Sequence, residues 1–180
     1  MRELSLNILD IVQNSIQANS STVEIDIKIL DNLLTICIID DGVGMNSDML
    51  KSVTDPFTTS RTTRKVGLGI PLFKMSSENS GGNFSIQSQL NKGTTVRATF
   101  VVDNIDRPPL GDIASTFSSL IYMNSSIRYI LKYSYNNKSF TVDTKEIELA
   151  LDNVPITEYE VIKFIEDMIK ENIQETGGIL

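Results

Sequence analysis

The chain of 180 residues contains no histidine and a single cysteine. Without histidine, the Ser-His-Asp and Cys-His arrangements of nucleophilic catalysis are excluded within the chain, as is zinc held by histidine. The chain cannot phosphorylate itself on histidine either. Cys37 lies in the apolar run LLTICIID, so an intrachain disulfide is excluded and a buried strand thiol is expected. A catalytic metal should therefore be a hard, oxygen-binding ion such as Mg²⁺.

The sequence also has few basic residues and no long apolar run. Its 16 Lys and Arg residues against 23 Asp and Glu residues give a formal net charge of -7. Affinity for nucleic acid or for an anionic membrane comes from clustered basic side chains. No stretch approaches the roughly 18 apolar residues of a transmembrane helix, and the N-terminus lacks the pattern of a signal peptide. We expect a cytoplasmic protein that binds neither nucleic acid nor membranes.

Hydrophobic periodicity predicts helix, two strands, loop, helix and two strands over the first hundred residues. Residues 2–19 place apolar side chains on one arc of a helix and polar side chains, including Asn7, on the other. TVEIDIKIL and LLTICIID predict an antiparallel hairpin, and NFSIQSQL and TTVRATFVV predict a second one. The Gly-, Thr- and Arg-rich stretch from residue 41 to residue 65 is long enough to be a functional loop.

A second part of the chain begins near residue 105, where Pro108 and Pro109 interrupt the strand pattern. Residues 105–180 should form a smaller α+β appendage that carries -5 of the net charge. The apolar side of its last helix, around Ile165, predicts either core packing or a partner surface, which includes a homodimer. The predicted elements are helices near residues 111–123, 144–151 and 157–174, with a hairpin turn at residues 136–137.

The strand LLTICIID runs directly into Asp40-Asp41-Gly42-Val43-Gly44. A carboxylate at the end of a buried strand, followed by two glycines, suits a site where an acceptor meets a planar ligand and the backbone approaches closely. A strand that ends in an ordinary turn explains the same residues. Alone, this motif leaves both interpretations open.

A second motif, Lys65-Val66-Gly67-Leu68-Gly69, opens a predicted helix. Glycines at a helix N-terminus expose N–H groups where the helix dipole favours an anion. Just upstream, Arg61 and Arg64 alternate with hydroxyl residues, which favours a polyphosphate ligand. A solvated loop is the alternative interpretation.

Asp10 and Asn14 lie one turn apart on the first helix, so their side chains project side by side. By themselves they are consistent with a solvent-facing surface. Beside phosphates bound at the second motif, the same oxygen pair suits a hydrated Mg²⁺ ion.

Five segments, DIVQNSIQA, DDGVGM, DPFTTS, VGLGI and GTT, occur in this order between residues 4 and 100. They resemble the N, G1, F, G2 and G3 boxes of the GHKL superfamily. That superfamily includes type II topoisomerases, mismatch-repair ATPases, heat-shock chaperones and histidine kinases. The resemblance implies a stand-alone, bacterial-type ATP-binding domain at residues 1–104, with helices on one face of a largely antiparallel sheet. It also implies ATP or ADP and Mg²⁺ as ligands.

The resemblance assigns roles residue by residue. It implies that Asn14 coordinates Mg²⁺ and that Asp40 accepts a hydrogen bond from the adenine amine. Residues 46–66 are implied to form a lid over ATP. The implied nucleotide contacts are Asn14, Asp40, Gly42, Gly44, Met45, Phe57, Arg61, Arg64, Lys65, Gly67, Leu68, Gly69 and Thr94.

The activity implied by the resemblance is less specific than the ligand. DPFTTS and GLGIPL resemble histidine kinases, which favours a kinase that phosphorylates a partner protein on histidine, serine or threonine. Asp10 stands where hydrolysing members have a glutamate base, which makes it the candidate catalytic residue, although it is one methylene shorter. An ATPase switch and a module that senses nucleotide without phosphotransfer are the alternatives.

Overall fold

The computed structural model describes residues 3–53 and 68–178, which form six strands and six helices. None of these helices is both long enough and apolar enough to cross a membrane. The strands are β1 (Thr22–Leu30), β2 (Leu33–Asp40), β3 (Phe84–Gln89), β4 (Gly93–Val101), β5 (Arg128–Tyr135) and β6 (Lys138–Asp143). The helices are α1 (Leu4–Gln17), α2 (Ser47–Val53), α3 (Gly69–Asn79), α4 (Ile113–Met123), α5 (Thr144–Ala150) and α6 (Tyr159–Thr176).

The strands form one sheet in the order β3-β4-β2-β1-β5-β6. Both N-terminal hairpins form at the predicted turns and pair antiparallel. Among the described strands, β1 and β5 make the one parallel pair, with Thr22 opposite Arg128. The expected α+β fold with a largely antiparallel sheet is confirmed.

Alternation along the strands decides which face of the sheet the helices cover. In β1, Val23, Ile25, Ile27 and Ile29 are buried, whereas the residues between them are more exposed. Successive side chains of a strand point to opposite faces, so one face carries the core and the other is open. Each isoleucine fully buried in this way contributes about 1.5 to 3 kcal/mol.

The C-terminal part continues the same sheet and the same core. β5 pairs with β1 along its length, and Tyr129 and Leu131 are fully buried in one cluster with Ile25. Lys170 of α6 lies 3.8 Å from Asp112, the N-cap residue of α4. Residues 105–178 thus add two strands to the sheet that the first four strands form. The domain boundary near residue 104 stays a prediction.

Two positions depart from the predicted burial. Cys37 is half-buried, because it falls on the open face of β2 between the buried Ile36 and Ile38. Partial burial raises the pKa of its thiol, which makes the thiolate less available. Asn7, predicted on the polar arc of α1, is 2% exposed. The polar arc of α1 therefore does not face solvent throughout.

Candidate functional site

Three donors hold Asp40 at the end of β2. Its Oδ2 atom accepts a hydrogen bond from the Ser15 hydroxyl at 2.8 Å. Its Oδ1 atom accepts from the backbone N–H groups of Gly42 at 2.9 Å and Thr94 at 3.2 Å. The residue is half-buried, and a carboxylate offers about four acceptor positions. Asp40 is therefore oriented by the protein and keeps acceptor capacity for a ligand.

The loop after Asp40 is wedged between α1 and the β3–β4 hairpin. A Cβ atom on Gly42 would lie 2.6 Å from the Ser20 hydroxyl, and one on Gly44 would overlap the carbonyl of Gln89. Gly44 also has a φ of +64°, a left-handed conformation that glycine adopts at little cost. These glycines are therefore required by contacts within the protein. The predicted reason for them, close approach to a ligand, remains a prediction.

Ser88 of β3 connects the loop to β4. Its hydroxyl accepts a hydrogen bond from the N–H of Met45 at 2.8 Å. It also lies 2.9 Å from the Thr94 hydroxyl and 3.0 Å from the Gly93 carbonyl oxygen. Met45 is half-buried and packs on the hydrophobic core. Met45 and Thr94, two of the predicted nucleotide contacts, are thus brought together with Asp40.

The neighbouring carboxylate, Asp41, faces a different set of donors. It accepts hydrogen bonds from the backbone N–H groups of Ser21 at 2.8 Å and Thr22 at 2.9 Å, and from the Ser21 hydroxyl. Burial alone would raise the pKa of Asp41, but these hydrogen bonds bring it below its usual value. Asp41 therefore anchors the start of β1, and of the two carboxylates Asp40 is the one that faces Thr94.

Asp10 lies against the first residue of α3. A Cβ atom on Gly69 would lie 2.9 Å from the Cβ atom of Asp10, so glycine lets the N-terminus of α3 approach α1 closely. Leu68 precedes this helix, and none of the described side chains caps its N-terminus. Free N–H groups at a helix start favour an anion. The predicted base and one predicted phosphate-facing glycine are therefore neighbours.

Asn14 lies on α1 between Asp10, which is next to Gly69, and Ser15, which binds Asp40. Asn14 is half-buried. The helix separates Asp10 from Ser15 by about 7.5 Å along its axis. Mg²⁺ prefers oxygen ligands and commonly combines one or two protein ligands with water and phosphate oxygens. The amide oxygen of Asn14 fits that pattern. Within residues 3–53 and 68–178, no group of three His, Cys, Asp or Glu side chains is placed to hold a metal without such help.

Several predicted site residues lie outside the described part of the chain. Residues 54–67 contain most of the predicted lid, and only its beginning, with α2, is described. The predicted contacts that fall outside the described residues are Phe57, Arg61, Arg64, Lys65 and Gly67.

A comparison with protein families decides how this geometry is to be interpreted. The sequence profile of the histidine kinase-, DNA gyrase B- and HSP90-like ATPases matches residues 2–104. This segment contains Asp10, Asp40 and Gly69. The chain belongs to this ATPase family. Membership in the family supports nucleotide binding by residues 2–104.

Individual relatives agree with this assignment. The chain is 30% identical over 97 residues to sporulation kinase D of Bacillus subtilis (strain 168), covering 53% of this chain. It is 32% identical over 167 residues to the autoinducer 2 sensor kinase/phosphatase LuxQ of Vibrio parahaemolyticus serotype O3:K6, covering 83% of this chain. It spans 19% of the length of each of these relatives.

Solved structures show the same fold. The ATPase domain of MutL from Aquifex aeolicus, complexed with ADP, superposes with a TM-score of 0.53 at 14% identity. The match covers 81% of this chain and 67% of the MutL chain. It therefore extends into the C-terminal part beyond the family profile.

Two hydroxyl residues of the site were not anticipated. Ser15 is 2% exposed, and it follows Ile11 by four residues on the buried side of α1. A polar residue at an apolar helical position is a signal that sequence analysis can use, because a buried hydroxyl needs a partner. Ser88 stands in an ordinary alternating strand, and no comparable signal marks it.

Proposed function

We propose that the chain binds ATP between α1, α3 and the loop after β2. The observation that carries this proposal is the position of α1, which holds Ser15 in its last turn against Asp40 and Asp10 in its middle against Gly69. One helix, α1, thus contacts both Asp40, the hydrogen-bond acceptor for adenine, and the N-terminus of α3, which suits phosphates. Adenine would bind at Asp40 and Thr94, above Met45.

We propose Asn14 as the Mg²⁺ ligand. When bound, Mg²⁺ supplies positive charge that offsets the negative charge of the phosphates. The contributions of the chain itself are the amide oxygen of Asn14, the N–H groups at the start of α3 and the basic side chains of Arg61, Arg64 and Lys65.

The favoured activity is transfer of the γ-phosphoryl group to a partner protein, in signal transduction. In such a transfer, an oxygen or nitrogen of the partner forms a bond to the γ-phosphorus while the bond to the β-phosphate oxygen breaks and ADP leaves. The proton of the attacking group goes to a base, and Asp10 is the candidate. The resemblance to sporulation kinase D and LuxQ supports a kinase. A histidine acceptor would have to lie outside these 180 residues, which contain no histidine. A homodimer is a further proposal for the oligomeric state.

An ATPase switch is the second candidate, because Asp10 is a carboxylate at the position of the hydrolytic base. Phosphate release from radiolabelled ATP by the purified chain distinguishes the two. Hydrolysis at about 1 s⁻¹ or faster, lost in Asp10→Asn, supports the switch.

For the kinase, we expect the chain to bind ATP and hydrolyse it slowly, with label appearing on an added partner. The matched control for Asp10→Asn is Asp31→Asn, because it makes the same chemical change in the β1–β2 turn, at the opposite end of β2 from Asp40. Failure of the chain to bind ATP would overturn both candidates.

A further inference from the structure

The outer edge of β6 offers unpaired backbone groups. The N–H of Asn136 donates to Ile29 of β1 at 2.8 Å, which directs the even-numbered residues of β5 toward β1 and the odd-numbered ones toward β6. In β6, the backbone of Phe140 therefore forms hydrogen bonds with Tyr133 of β5. Lys138 and Val142 face β5 in the same way, opposite Tyr135 and Leu131. Ser139 and Thr141 direct their N–H and C=O groups outward. No strand among the described residues pairs with them.

Helix α6 lies beside this edge and leaves a groove. The Lys138 ammonium donates to the carbonyl oxygen of Glu175 at 2.9 Å, which joins the start of β6 to the end of α6. A cavity of about 670 Å³ lies between the two elements. Its lining residues are Asn137, Lys138, Ser139, Phe140, Asn172, Glu175 and Thr176. We call this cavity and the adjoining edge the β6–α6 groove.

The side of α6 that continues from the groove toward the start of the helix is aromatic and acidic. Helical spacing places Phe164, Met168, Asn172 and Glu175 on one side of α6. Phe164 is 65% exposed, although large apolar side chains on a helix normally pack on a neighbour. The same helical spacing places the exposed carboxylates of Glu160 and Asp167 within about one turn of Phe164. Two more exposed carboxylates, those of Glu171 and Glu175, follow on the same side of the helix.

The basic residues of α6 lie on a different side. Lys170 pairs with Glu166 at 2.6 Å and lies near Asp112 of α4, and Lys163 is adjacent to it on the helix wheel. Four exposed carboxylates therefore outnumber the two exposed cations near this surface, Lys163 beside Phe164 and Lys138 at the start of β6. A ligand of this surface should carry positive charge.

We propose that the β6–α6 groove binds an extended, Lys- or Arg-bearing segment of another protein, which adds to the sheet as a seventh strand beside β6. The outward backbone groups of Ser139 and Thr141 specify an extended backbone as the ligand. Alternate side chains of that segment lie opposite Phe140 and reach Phe164, so they should be apolar. The acidic residues around Phe164 select basic flanking residues.

A second copy of this chain fits the groove poorly. Pairing two β6 edges about a two-fold axis would bring both sets of four carboxylates close together, and like charges oppose association. The inference concerns residues remote from Asp40 and does not depend on nucleotide, so it is tested without ATP.

The test uses a labelled probe peptide, acetyl-KKTVTVTKK-amide, and the full chain, with fluorescence anisotropy and amide hydrogen exchange by NMR. In the free protein the amides of Ser139 and Thr141 should exchange rapidly, whereas those of Phe140 and Val142 should be protected by β5. Saturating peptide should protect the first pair by about tenfold or more. Peptide methylated at the pairing backbone nitrogens, or carrying Glu in place of Lys, should bind about tenfold more weakly.

Phe164→Ser should weaken peptide binding by about tenfold, and Tyr122→Ser, which removes an exposed aromatic ring of α4, should leave it unchanged. Both residues are exposed, so both variants should fold. No binding at about 1 mM peptide, or binding that leaves Ser139 and Thr141 unprotected, would overturn the proposal. Sedimentation that shows a dimer abolished by Phe164→Ser would also overturn it, in favour of a second copy.

Discussion

The Ser15 hydroxyl donates to Oδ2 of Asp40 at 2.8 Å, and the two residues are 25 positions apart in the chain. The bond links the buried side of α1 to the end of β2. It leaves Asp40 oriented by one side chain and by two backbone N–H groups, one from the loop after β2 and one from β4. The direction in which Asp40 accepts a hydrogen bond therefore depends on how α1 sits on the sheet.

Asp40→Asn should weaken ATP binding by about 10- to 100-fold, because an amide replaces one acceptor oxygen by a donor and leaves the ligand's donor unpaired. Isothermal titration calorimetry measures the change. Asp41→Asn is the matched control, since Asp41 binds Ser21 and Thr22. It should lower stability and leave affinity unchanged. Equal affinity losses in the two variants would remove Asp40 from the site.

Ser15→Ala should produce a smaller effect of the same kind. The variant keeps the Asp40 carboxylate and removes one of its orienting donors, a change worth about 1 kcal/mol, or roughly fivefold in affinity. Combining it with Asp40→Asn should give less than the sum of the two losses, because both act on one hydrogen bond. Strict additivity in the double-mutant cycle would contradict the coupling.

Asn14→Ala should remove the part of ATP affinity that depends on Mg²⁺ and spare adenine recognition, because the amide oxygen is the proposed metal ligand. Titrations with Mg²⁺ and with EDTA separate the two parts. Gln13→Ala is the control, since the Gln13 side chain lies next to Met123 of α4. An equal loss with and without the metal would place Asn14 in nucleotide binding only.

Asp143 and Asp26 should respond to acid in opposite ways. Hydrogen bonds from Arg128 hold the pKa of Asp143 below its usual value. Its charge therefore stabilises the fold above the unfolded carboxyl pKa of about 4, and this contribution is lost as pH falls through the lower folded pKa. Burial raises the pKa of Asp26, so its charge costs stability at neutral pH.

Urea unfolding of two variants checks these signs. At about pH 7, Asp143→Asn should lower the unfolding midpoint and Asp26→Asn should raise it. Both differences from the parent chain should shrink below about pH 4, where the carboxyl groups become protonated. Differences that persist at low pH would assign the effects to packing.

Gly44→Ala should destabilise the fold by about 2 kcal/mol or more, because the new Cβ atom meets the Gln89 carbonyl and φ is positive. Gly177→Ala is the matched control. Its φ is +79° and no atom lies within 4 Å of the added Cβ, so only the backbone cost of about 1 kcal/mol should remain. Similar unfolding midpoints for the two variants would exclude the steric contact as the cause.

The local patterns of the sequence predicted the helices and strands closely, but they did not predict the long-range contacts. The alternation in TVEIDIKIL coincides with β1, since burial of one face leaves a period of two. The contact of Ser15 with Asp40 depends on how α1 crosses the sheet, which periodicity does not encode. The pairing of β5 with β1 escaped for a related reason. Strands with the same alternation fit several neighbours, and nothing local selects among them.

The pairing of β1 with β5 has a consequence for synthesis of the chain. About 100 residues separate the paired positions Thr22 and Arg128, and ribosomes add about 5 to 20 residues per second. The edge of β1 that pairs with β5 therefore stays unpaired for about 5 to 20 s during synthesis, long after the hairpin of β1 with β2 has formed. An unpaired strand of alternating β-branched residues is a template for wrong association during that interval. The speed of translation thus enters into how much of the protein reaches its folded state.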